Sequence, residues 1–164
     1  MKLAKPLLIA VAVLAVAGAL FYAVTDKPRA PEATFTTLEG QPIALSALRG
    51  KVVLINFWAT SCPGCIKEMP GMVETYNTYK DRGFEIIAVA MSYDPPNYVA
   101  SFVKTRQLPF PVALDVNGEH AQAFGNVQLT PTTFIIGKDG SILEQKLGEL
   151  DFVKLNALLD RELS

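Results

Sequence analysis

Residues 51–65, KVVLINFWATSCPGC, run an apolar, strand-forming segment straight into the only two cysteines of the chain. Lys51–Phe57 is almost continuous in β-branched and aliphatic side chains, the pattern of a central strand covered on both faces. Pro63-Gly64 then turns the chain. Met69, Met72, Val73, Tyr76 and Tyr79 recur at helical spacing up to Gly83, which predicts a helix from about Cys62 to Arg82. Pro70 lies inside it, where it removes one hydrogen bond and is expected to force a kink.

The rest of the chain alternates strands with helices. Thr34–Leu38 and Pro42–Leu45 flank Glu39-Gly40 as a hairpin, with Pro42 pointing to an edge strand. Phe84–Ala90 reads as a second buried strand, and Pro95-Pro96 opens a helix through about Arg106. Pro109–Leu114 is strand-like, Glu119–Phe124 a short helix and Thr132–Ile136 another strand. Lys138-Asp139-Gly140 is a turn signal followed by a return strand, Ser141–Lys146, and Asp151 is placed to cap a last helix. A βαβα order ending in ββα is an α/β sandwich pattern.

Residues 7–24, LLIAVAVLAVAGALFYAV, form an uncharged apolar run of membrane-spanning length behind Lys2 and Lys5. The basic flank keeps the N-terminus in the cytoplasm and carries the remainder across, so that the thiols work outside the cytoplasm. Ala17-Gly18-Ala19 offers a small-residue cleavage site, yet the apolar run outlasts an ordinary signal peptide, which favours a retained anchor. Residues 25–33, TDKPRAPEA, read as an extended tether, and a single domain is expected over 34–164. From residue 30 onward eleven Lys and Arg stand against fifteen Asp and Glu, a formal balance of −4 that argues against nucleic acid as a partner.

The cysteine pair admits three chemistries. As a staple, Cys62–Cys65 closes a loop worth roughly 2 kcal/mol, against about 4.7 for a 100-residue loop, a weak use of the only pair. As a metal site it lacks further ligands: His120 is the sole histidine and reads as a solvated loop or helix-start residue, so no metal site is assigned. Ile66 after Cys65 excludes C-x-x-C-H haem attachment. A redox couple explains more. At a helix start the first thiol lies beside unpaired backbone N–H groups and the positive end of the dipole, which favours thiolate. Cys62 is then the exposed nucleophile and Cys65, one turn in, the resolving thiol, with Pro63 and Gly64 bringing the sulfurs within bonding reach.

FWATSCPGC after an apolar strand, with IKEMP following, resembles the thioredoxin superfamily, and most closely its membrane-tethered extracytoplasmic branch of the TlpA, ResA and CcmG type. The similarity extends over about residues 33–162 and includes LSALRGKVVLINFWATSCPGC, KEMP and LTPTTFIIGKDG. It implies a thioredoxin-like fold: a central mixed sheet flanked by helices, with an N-terminal hairpin and an inserted βα unit. It also implies a cis proline facing the disulfide, for which Thr130-Pro131 stands in place, and beside which the backbone pairs with a substrate peptide. Cytoplasmic thioredoxins carry a buried aspartate where this chain has Asn56, which cannot accept the Cys65 proton. Glu68 matches the acidic residue of the ResA-like branch, and partial burial would raise its pKa for proton transfer with Cys65. Trp58 is expected to pack in the core near the site. Ser61 stands where relatives often place tryptophan.

What the resemblance implies in function is a reductant with no cofactor beyond the Cys62–Cys65 disulfide. A membrane thiol electron donor would feed it, and exported protein disulfides such as those of apocytochrome c would be its substrates. The motif itself does not fix direction, since this scaffold spans potentials from about −270 to about −120 mV. Two alternatives stay open on sequence: a peroxiredoxin-like peroxidase, for which Thr60 is a threonine near the cysteine, and a copper-handling thiol module.

Overall fold

The computed structural model describes residues 28–164 and, ahead of them, Leu14, Val16 and Gly18. The apolar run 7–24 otherwise lies outside the described residues, among which no helix is long and apolar enough to cross a membrane. Two short strands, β1 (Thr34–Thr36) and β2 (Pro42–Ala44), form a separate antiparallel hairpin. Then follow β3 (Val52–Trp58), α1 (Pro63–Tyr79), β4 (Phe84–Ala90), α2 (Pro96–Arg106) and β5 (Val112–Leu114). A short α3 (Glu119–Ala123), β6 (Thr132–Ile136), β7 (Ile142–Leu147) and α4 (Phe152–Glu162) complete the chain.

The five-stranded sheet has the order β5-β4-β3-β6-β7. Its β3–β4 and β4–β5 pairs are parallel, whereas β6 runs antiparallel to both β3 and β7. Every residue of β3 is buried, as its unbroken apolar run requires. Alternation then divides the strand between two cores. Leu54 and Trp58 face Met69 and Met72 of α1, Val99 of α2 and Leu155 and Leu159 of α4. Val53, Ile55 and Phe57 face Phe35 of the hairpin, Ala121 of α3, Phe124 and Phe134. Asn56 lies on the α1 side of this alternation, so the one polar residue of the strand is delivered beneath the redox helix.

Three expectations are modified. Helix α1 runs unbroken through Pro70 and passes into a 3-10 turn over Lys80–Arg82, which Gly83 ends at φ +94°. His120 lies at a helix start, in the first turn of α3, but its half-buried ring is not free: it packs on Phe35 with centroids 4.6 Å apart. Much of the segment read as a free tether is docked. The Pro28 carbonyl accepts from Ile142 N at 2.7 Å, Ala30 N donates to Gly140 O at 3.0 Å, and Ala30 is buried. The folded body therefore reaches back past Thr34 to at least Pro28; residues 25–27 lie outside the described residues.

Candidate active site

Strand β3 ends at Trp58, whose ring is fully buried and packs against Phe102 of α2 at 5.2 Å. The following turn, Ala59–Cys62, closes by a bond from Cys62 N to Ala59 O. Cys62 is the N-cap of α1, with its backbone extended and Pro63 at the first helical position, where a missing N–H costs nothing. Cys62 and Cys65 are joined as a disulfide, and Cys62 Sγ accepts the Cys65 backbone N–H at 3.2 Å. In the reduced protein the same N–H, together with the helix dipole, stabilises negative charge on the outer sulfur. Burial separates the partners, since Cys65 is fully enclosed and Cys62 is partly open.

Above the disulfide turn lies Pro131, joined to Thr130 by a cis peptide bond. A Cβ built on Gly64 would stand 3.6 Å from Pro131 Cδ and 3.5 Å from Glu149 Cγ, so residue 64 is hemmed between the proline and a carboxylate. Thr130 is linked across to the β4 side, with its hydroxyl 3.3 Å from the Tyr93 hydroxyl. The residues expected to form the site, Asn56, Trp58, Cys62, Pro63, Gly64, Cys65, Glu68, Thr130 and Pro131, thus gather at one end of the sheet. Ser61 is exposed there.

Below the turn, Glu68 is 2 % exposed although it belongs to a residue type seldom buried. Its Oε1 accepts from Asn56 Nδ2 at 2.9 Å and its Oε2 from Leu150 N at 3.0 Å. Asn56 Nδ2 also donates to Thr133 Oγ1 at 3.0 Å, which ties β3, β6 and α1 together through one side chain. Burial pushes the Glu68 carboxyl above its ordinary range. The hydrogen bonds from Leu150 and Asn56 oppose that shift, and the nearby Glu149 charge adds to it.

Several contributors had no signature in the sequence. Asp94, buried in the loop after β4, accepts from Thr60 N at 2.6 Å and from Thr60 Oγ1 at 2.5 Å, and so holds the turn leading to Cys62. Its setting before Pro95-Pro96 marks it only as a helix-start residue. The loop 148–150 meets the site three times in succession. Gly148 N donates to Pro131 O at 2.8 Å, Glu149 pairs with Lys67 at 2.7 Å, and Leu150 N holds Glu68. Only the glycine at φ +87° could have hinted at a tight turn there.

The redoxin family model matches residues 24–159. Over 120 residues the chain is 45% identical to the thiol-disulfide oxidoreductase ResA of Bacillus thuringiensis subsp. konkukian, covering 73% of this chain and 68% of that protein. It belongs to the redoxin family, among the ResA-type thiol-disulfide oxidoreductases. ResA of Bacillus anthracis is 42% identical over 132 residues, covering 80% of this chain and 75% of its own. Among solved structures, a thiol:disulfide interchange protein of the thioredoxin family from Chlorobium tepidum superimposes with a TM-score of 0.78 at 28% identity. That match covers 85% of this chain and 99% of the other. A ResA-type protein is an oxidoreductase acting on protein disulfides, and the central mixed sheet, hairpin and helices found here are those of its thioredoxin-like fold.

Proposed function

We propose that this protein reduces disulfides of exported proteins on the periplasmic side of the inner membrane, with apocytochrome c as a principal substrate. The observation that carries the reading is the disulfide itself, whose outer sulfur caps a helix between the cis proline and a buried carboxyl held above its ordinary range. In the reduced enzyme the Cys62 thiolate attacks one sulfur of a substrate disulfide. A Cys62–substrate bond forms as the substrate S–S bond breaks, and the leaving substrate thiolate takes up a proton. The Cys65 thiol gives its proton to the Glu68 carboxylate, and its thiolate attacks Cys62 Sγ. The Cys62–substrate bond breaks, the second substrate thiolate takes up the proton that Glu68 received, and the substrate leaves as a dithiol; the enzyme, poorer by two electrons, remains as the Cys62–Cys65 disulfide until a membrane dithiol donor restores it.

Asn56 serves this scheme as a donor. With both of its N–H groups spent on Glu68 and Thr133, it orients the carboxyl and takes no part in proton exchange. Thr130, in the bend before Pro131, offers backbone groups beside the disulfide turn on which a substrate strand can pair. Residues 7–24 supply the anchor in this reading. Leu14 and Val16, both helical, leave 72% and 59% of their surface uncovered, so the domain does not bury these apolar side chains.

The test is a Cys65→Ser trap, which stalls the cycle at the mixed disulfide with Cys62. Captured apocytochrome c supports the reading. Capture of many unrelated secreted proteins with no cytochrome enrichment points instead to a general thiol-disulfide catalyst.

A further inference from the structure

The docked N-terminal strip and the redox pair occupy opposite ends of the sheet. Arg29 bridges Ser141 in antiparallel fashion beside the Pro28 and Ala30 bonds, at the start of β7. In the strand register Val53, Ile136 and Ile142 lie abreast at that end, and Phe57, Thr132 and Leu147 at the other. Chain direction then carries β3 onward to Cys62. Four strand residues and the turn beyond them place the sulfurs on the order of 20 Å from the strip.

The chain between the apolar run and Pro28 is short. Four Cα steps separate Val24, the last residue of the apolar run, from Pro28, and they reach about 14 Å at full extension. We infer that the pole formed by Pro28–Ala30, Arg49 and the 137–140 turn rests against the lipid headgroups, so that Cys62–Cys65 faces away from the membrane. This rests on the proposed reading of residues 7–24 as a retained anchor. A free tether would let the domain tumble, whereas backbone bonds at Pro28 and Ala30 fix the pole that meets the bilayer.

The chemistry of the pole fits a headgroup layer. Arg29, Arg49 and Lys138 are exposed cations beside the docked strip, and Lys51 lies next to them. Their acidic neighbours are Glu32, 3.9 Å from Arg49, Glu85, 3.5 Å from Lys51, and Asp139, whose carbonyl accepts from Arg29 at 3.4 Å. The large exposed apolar residues near the redox site, Tyr93 and Leu129, lie at the other end and stay in water, where a polypeptide can reach them. The electron donor must accordingly present its dithiol on a part that stands out of the bilayer, since one at lipid level would meet the wrong pole.

Full-length protein in lipid nanodiscs tests the orientation. With Cys62→Ser and Cys65→Ser in the background, a spin label is attached through Lys138→Cys or Leu129→Cys, and a paramagnetic ion is chelated to headgroup lipids. The expected result is relaxation enhancement several-fold greater at position 138 than at 129. Equal or reversed enhancement in bilayer-bound protein overturns the orientation while leaving the anchor intact. Protein that fails to associate with the nanodisc overturns the anchor, and the orientation with it.

Discussion

Asn56 Nδ2 donates to Glu68 Oε1 at 2.9 Å and so joins the central strand to the redox helix through a carboxyl sealed from water. An Asn56→Ala substitution strips a buried donor from both Glu68 and Thr133. A loss of about 2–3 kcal/mol in denaturant unfolding is expected. Thr133→Val removes only one acceptor, and its expected cost is about 1 kcal/mol. Equal losses for the two would show that the bond to Glu68 carries none of the difference.

The protonation of Glu68 gives a pH signature. Its folded pKa is raised by burial, so the folded state holds the proton more tightly than the unfolded chain. Relative stability is then greatest below the unfolded carboxylate pKa and is lost as pH rises through the folded value. Glu68→Gln cannot ionise. Its amide leaves one of the two donors facing it unpaired, for an expected deficit of about 1 kcal/mol at pH 4. That deficit should shrink or reverse by pH 8, as the parent alone is penalised. Unfolding curves at the two pH values, run on the oxidised forms, measure it; a deficit independent of pH would place the Glu68 pKa in its ordinary range. In stopped-flow assays the same substitution should slow release of the mixed disulfide without slowing its formation.

Asp94 is expected to act through the turn it holds. Asp94→Ala abandons two half-buried donors on Thr60, with an expected cost of about 1–2 kcal/mol and a weaker Cys62 N-cap. Asp94→Asn keeps one acceptor and should recover about half of the loss. Thermal melting gives the stability, and the Cys62 thiol titration shows whether the cap geometry has moved with it.

Helix packing is tested at Gly71. A methyl group there would stand 2.5 Å from Phe152 Cζ, closer than real contacts allow, so the ring must move for α1 to keep its seat against α4. Gly71→Ala should cost about 1–3 kcal/mol. The disulfide turn lies a helical turn and more away, so the rate of substrate attack should be preserved. Phe152→Ala in the same background should relieve much of the clash, and a double-mutant cycle reads that coupling.

The redox turn was legible in the sequence because its determinants are local. Lys51–Phe57 carries a period and composition that admit few alternatives, and the helix start after Cys62 follows from Pro63-Gly64 within four residues. Trp58 in the core and Asp151 as a cap, which accepts from Val153 and Lys154 at 3.1 and 3.2 Å, are legible for the same reason. What spacing could not convey were contacts between segments distant in the chain. Asp94 reaches Thr60 across 34 residues and Leu150 reaches Glu68 across 82, and neither pair leaves a periodic trace. The tether misled for a related reason: proline, charge and small residues are the composition of a linker, yet the segment docks through one backbone bond at Pro28, one at Ala30 and the burial of the Ala30 methyl.

The arrangement at the margins of the sheet bears on which polypeptide can add to it, since an open strand is a template for any extended chain. At the β5 margin the hairpin closes the gap: Thr37 bridges Ala113, and Leu38 N donates to Val112 O at 2.9 Å. At the β7 margin residues 28–30 block the beginning, and the exposed Glu144 and Lys146 charge the remainder. Under the proposed function, strand addition is thereby left to the short segment beside Pro131. Covered and charged margins keep the fold from being templated into aggregates by extended polypeptides, and the proposed substrate site beside Pro131 is left as the place where pairing would bring a disulfide to Cys62.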